Sequence, residues 1–255
     1  MKSHFSAIRV IVFSVAIVSI AAAYVILRGN HGNESKSDDA EMWISGYEEE
    51  HPWVDLGLSV KWATCNVGAH LPGDVGNYYA WGETQRKEMY NWRTLHFRSD
   101  VMSIKGENDP ATVNWGEPWR TPTHTEFEEL LEGCTWEWGT FGLSQGYYVT
   151  SKSNGNSIFL PAAGHMIGRV NRFIGTNGSY WASTLLTNYL FLSEEDKRFA
   201  EMLYFTEDFT KNSISERCNG LTVRPVADYR QVHYLYPVPK QRGHVPVPPH
   251  FAQRP

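Results

Sequence analysis

The side chains able to carry metal or covalent chemistry are few and badly spaced for it. Cys65, Cys134 and Cys218 are the three cysteines. None forms a CxxC pair or stands at ligand spacing from a histidine, so no metal-binding motif can be read from them. The ten histidines are scattered, and HExxH, GxSxG and Walker patterns are absent. His165, in PAAGHM, and His124, in the first turn of an expected helix, read as surface histidines. A pair of carboxylates for glycoside hydrolysis can be remote in the chain, and nothing singles one out. Asp55, Asp74, Glu83 and Asp109 read as turn formers or hydrogen-bonded structural acids. No cofactor or metal is expected, and the chain reads as a non-enzyme.

Aromatic rings are abundant instead, with ten Trp, thirteen Tyr and twelve Phe. Trp92, Trp115, Trp119, Tyr180 and Trp181 lie in or beside Gly/Asn-rich segments, where rings can stack on sugar faces or anchor a protein partner. The competing reading is that these rings fill the core of a loop-rich fold. A net charge of −5 and the lack of a basic stripe argue against nucleic acid as a partner.

Residues 10–27 form an apolar run without a charge, preceded by Lys2 and Arg9 and closed by Arg28. As a helix it would span about 27 Å, close to a hydrocarbon core of about 30 Å. It is expected to be an uncleaved membrane anchor, with residues 1–9 cytoplasmic and the rest of the chain outside. The alternative is a secretory signal cleaved near Ala21, Ala22 and Ala23, which would release the protein. Residues 28–52 are polar and acidic and read as a spacer. Met42, Trp43, Ile44 and Tyr47 interrupt that spacer and could dock back on the domain or form a short helix. Residues 53–228 are the expected domain, of a size that supports one core. Residues 229–255 carry six prolines, four Arg or Lys and no acid, the composition of an extended tail.

Local signals predict short strands around one helix. A hairpin is expected from residues 53–58 and 60–65 about Gly57, and a strand over residues 78–81. Thr123 and Glu126 make a capping box behind Pro122, and Phe127, Leu130, Leu131 and Cys134 follow at i, i+3, i+4 and i+7. The helix is therefore placed over residues 123–134. Further strands are expected over residues 135–141, 147–151, 157–161, 180–183 and 221–225. Residues 193–205 should begin with a helical turn and end as a strand.

The ordered blocks WVDLGLSVKWATCNVGA, YYAWGET, NWGEPWRTPTHTEFEELL, GNSIFLPAAG, GSYWAST and LTVRPV span about 175 residues. Together they resemble the Fibrobacter succinogenes major paralogous domain, a family of bacterial surface and secreted modules. That resemblance implies an α+β fold of the C-type lectin-like kind, an extracytoplasmic setting in the cell envelope and no defined common activity. WRTPTHTEFEELL and LTVRPV also resemble the helix-opening and closing segments of formylglycine-generating enzymes. Those enzymes hold copper with two neighbouring thiols, whereas here Cys218 stands alone. Because Cys65 lies in a family-like block and Cys134 closes the helix that another opens, the resemblance makes them the candidate disulfide. Glu117-Pro118 is similar to part of the calcium lectins' Glu-Pro-Asn motif, but Trp119 replaces the asparagine, and calcium needs about six to eight oxygens. The expected function is metal-free recognition of a carbohydrate or surface protein. The alternatives are a structural subunit of a surface assembly and, third, an enzyme related to the formylglycine-generating family without its copper site.

Overall fold

Asp55 to Ser59 reverses the chain through Gly57, whose φ of 67° lies in the left-handed region that a side chain disfavours. The expected opening hairpin forms across this turn, from β2 (His51–Val54) and β3 (Val60–Ala63), with Trp53 opposite Ala63 and Val54 opposite Trp62. The computed structural model describes residues 45–48, 51–97, 101–186, 193 and 195–229. Within them β1 (Gly46–Glu48) extends the hairpin, pairing antiparallel with β2. The spacer expected over residues 28–52 therefore gives way to ordered strands near its end. The anchor expected over residues 10–27 and almost all of the tail lie outside the described residues. Among the described residues no helix is long and apolar enough to cross a membrane.

The strand that completes this sheet comes from far along the chain. β13 (Val226–Asp228) lies between β3 and β4 (Trp119–Arg120), so the five-stranded order is β1-β2-β3-β13-β4. Val226 faces Trp62 on one side and Arg120 on the other. Ion pairs reinforce the junction. Arg120 holds Glu126 at 2.6 Å and Asp228 at 2.7 Å, and the Tyr229 hydroxyl donates to Asp55 at 2.6 Å. The strand expected over residues 221–225 is thus shifted. Leu221 and Thr222 make single bridges to Tyr79 and Tyr180, and regular pairing starts at Val226. Residues 78–81 likewise form no strand beyond the Tyr79 bridge.

Helix α1 (Pro110–Trp115) is short and follows Asp109, whose carboxylate accepts from the Ala111 and Thr112 amides. Helix α2 (His124–Gly133) begins as the sequence predicts. The Thr123 hydroxyl accepts from the Glu126 amide at 3.2 Å while the Glu126 carboxylate accepts from the Thr123 amide at 2.7 Å. Phe127 and Leu130 face the core with no exposed surface. Cys134 ends the helix and opens the next strand.

Two antiparallel meanders supply most of the remaining structure. One contains β5 (Cys134–Phe141), β6 (Ser144–Ser151) and β7 (Ser157–Pro161). The other contains β10 (Gly178–Trp181), β11 (Phe199–Phe205) and β12 (Thr210–Glu216). Between them β8 (His165–Ile167) and β9 (Val170–Arg172) form a small hairpin. The result is α+β and mostly β. The main core gathers Trp62, Phe127, Leu130, Leu160, Tyr180 and Phe205, and a second cluster holds Tyr79, Trp81, Trp181 and Val223. Buried Arg224 links several segments: its guanidinium donates to Asn66 Oδ1 and to the Ala63, Thr64 and Phe159 carbonyls.

Candidate functional site

The structure does not present the five rings proposed as ligand contacts as one open surface: Trp115 and Trp119 pack edge to face with centroids 5.4 Å apart, and three of the five are buried. Trp119 and Tyr180 expose nothing, and Trp181 exposes 1% of its surface. Their polar atoms are used internally: Trp119 Nε1 donates to the Glu48 carbonyl, Tyr180 Oη to the Pro161 carbonyl and Trp181 Nε1 to the Tyr79 carbonyl. These three are core residues, which corrects their assignment as stacking surfaces. Trp115 and Trp92 are half-buried. His51 stacks on Trp115 with centroids 3.7 Å apart. Trp92 lies under the Arg198 guanidinium, 4.9 Å from the ring centre, and donates to Glu216 at 3.4 Å. Each therefore has one face already covered.

The candidate disulfide is also corrected. Cys65, Cys134 and Cys218 are free and buried. Cys134 packs in the main core at the end of α2, whereas Cys65 lies beside the Thr64 hydroxyl and feels the Arg224 charge. Burial raises all three thiols, Cys134 and Cys218 to about 11. Among the described residues no three His, Cys, Asp or Glu side chains converge as a metal site.

A polar cleft of about 600 Å³ is lined by Asn77, Tyr78, Gln85, Arg86, Tyr90 and Asn114, among others. Two phenols at its wall are tied to backbone: Tyr90 donates to the Tyr78 carbonyl and Tyr78 to the Ala163 carbonyl, each at 2.6 Å. Burial raises the pKa of both phenols, so the hydroxyls stay protonated at neutral pH. The loop opposite begins at Gly82, whose φ of 79° permits the turn. Glu83 accepts from the His96 amide at 2.6 Å and pairs with Lys87. Lys87 Nζ in turn donates to the Thr94 carbonyl at 2.8 Å, and Asn114 Nδ2 reaches the Thr84 carbonyl at 3.2 Å. The loop is held at several points while Gln85 and Arg86 remain exposed.

A second cleft of about 540 Å³ occupies the other side of the same loop, with His96, Phe97, Glu107 and Asn108 in its lining. Glu88 is the single carboxylate lining the larger cleft. What that cleft offers is the exposed Gln85 and Asn114 amides, the exposed Arg86 guanidinium and the half-buried Tyr78 ring, with Lys87 already engaged and Tyr90 only 3% exposed. Such groups fit a neutral or anionic polyhydroxyl ligand or a polar peptide, held chiefly by hydrogen bonds. Sequence reasoning missed these residues because the cleft joins segments remote in the chain. The local signal was the Gly82-led loop after YYAW. Comparison with family models, curated proteins and solved structures gives no match to this chain.

Proposed function

We propose that this protein is a metal-free recognition module of a bacterial cell envelope, built on a C-type lectin-like scaffold and tethered by residues 10–27. Its ligand is a carbohydrate or a polar segment of a surface protein, bound in the cleft between Tyr78, Tyr90 and the Gln85–Arg86 loop. The observation that supports this reading is the exposed Gln85 amide and Arg86 guanidinium, carried beside the half-buried Tyr78 ring on a loop held by internal hydrogen bonds. Rigid presentation of such groups lowers the entropy lost on binding. The sequence blocks that resemble envelope modules supply the setting.

A glycan array probed with the full chain in detergent tests the reading. Saturable binding should survive a chelator and fall about tenfold or more in Arg86→Ala, since a charged hydrogen bond is worth about 1.5 to 3 kcal/mol. Near-UV circular dichroism should be unchanged, because Arg86 is exposed. A blank array together with a stoichiometric copurifying protein whose binding ignores Arg86→Ala would favour the structural-subunit reading instead.

A further inference from the structure

The β8–β9 hairpin projects apolar side chains where a water-facing turn would carry polar ones. Ile167 and Val170 face each other across the turn at Gly168 and Arg169, and Phe173 and Ile174 follow directly. These four are between 41% and 55% exposed. Phe173 also has a φ of 64°, the left-handed region that bulky residues rarely enter. Its carbonyl accepts from the Thr176 and Asn177 amides and from the Thr176 hydroxyl, at 2.9 to 3.1 Å. The structure holds an aromatic side chain half in water at the expense of backbone strain, a combination that marks functional loops.

The charge around this tip is one-sided. Arg169 and Arg172 are exposed among the apolar residues, and residues 138–193 contain no Asp or Glu although the chain has 28. Glu88 is the acid that reaches Arg169, at 3.5 Å between two well-exposed side chains, a contact of small energy. We propose that the β8–β9 tip is a second attachment point, which inserts Ile167, Val170, Phe173 and Ile174 into the surface of an anionic bilayer while Arg169 and Arg172 engage lipid phosphates. Apolar side chains flanked by arginines match the interfacial layer of such a membrane, where acyl chains lie beneath negative headgroups. Residues 229–255 and a second copy of the tip are poorer occupants, since both bring positive charge.

The test uses the full chain, reconstituted into vesicles of phosphatidylcholine alone or of equal parts phosphatidylcholine and phosphatidylglycerol. A spin label is placed at Val170→Cys or, as a control, at Leu143→Cys on the β5–β6 turn, where Leu143 is fully exposed. The three native thiols are buried and should resist labelling. In the anionic vesicles the label at position 170 should become accessible to oxygen and shielded from a water-soluble nickel chelate, while the label at 143 stays aqueous. Arg169→Glu with Arg172→Glu should return the first label to water, as each arginine contributes roughly fivefold to partitioning at an anionic surface. Immersion that ignores lipid charge would overturn the proposal. So would a label that stays aqueous in both vesicles, including one that becomes shielded only in whole envelopes, which would assign the tip to a protein partner. Glycan binding and label immersion are separate readouts, so a failure here leaves the cleft unaffected.

Discussion

Arg224 donates through Nε to the side-chain oxygen of Asn66 at 2.8 Å, and neither residue exposes any surface. All four acceptors of this guanidinium are neutral oxygens, from the Asn66 side chain and three backbone carbonyls. Burial pulls the arginine below its ordinary pKa, but so strong a base stays charged. The result is a cation that binds the turn after β3 to β7 and to the segment leading into β13.

Arg224→Met should therefore destabilise strongly. It leaves three buried carbonyls and the Asn66 oxygen without this donor, each worth about 1 to 3 kcal/mol, so the loss should be at least about 3 kcal/mol. The fall in the urea midpoint measures it. A midpoint within experimental error of the parent would show that the clasp contributes little.

The α2 cap should behave as a graded series. Thr123→Ala removes one acceptor and should lower stability by about 1 kcal/mol. Glu126→Ala should do more, since Glu126 both caps Thr123 and pairs with Arg120. Denaturant titration of the two variants, with equal losses, would contradict the double role.

His165 ties stability to pH. Burial, and then the Arg172 charge, lower its pKa from an ordinary 6.5. The folded chain consequently binds fewer protons than the unfolded chain in the window below 6.5, so stability rises with pH there. The contribution is complete above 6.5 and is lost as pH falls through the lower, folded value. Thermal midpoints measured across this window should climb more steeply in the parent than in His165→Gln. Parallel profiles would refute the assignment.

Thiol chemistry distinguishes free cysteines from a bridge. With burial and raised pKa values limiting thiolate formation, all three should react slowly with a disulfide reagent at neutral pH. In denaturant without reductant, three equivalents should titrate. A single equivalent would show that two of the three are bridged, and peptide mapping would tell whether they are Cys65 and Cys134.

Features specified by neighbouring residues were legible in the sequence. The Thr123–Glu126 box and the Phe127/Leu130 stripe act within one helical turn, and residues 157–161 form β7 with the bounds expected. Features that depend on distant partners were not. Tyr79 lies in an aromatic run that suggests a strand, yet its ladder ends after one bridge to Leu221. Trp119 and Trp181 sit among glycine and asparagine, which mark loops but do not say which way a ring points. The cleft was invisible for the same reason: Tyr90 meets the Tyr78 carbonyl, and Asn114 meets Thr84, only after the chain has closed.

The placement of β13 has a consequence for biogenesis. The strand lying between β3 and β4 is made more than a hundred residues after either could be ready. An emerging polypeptide therefore has a gap in its first sheet until Val226–Asp228 leaves the ribosome, and such late, long-range closure is slow. The first sheet can be completed only when nearly all of the described domain has been made.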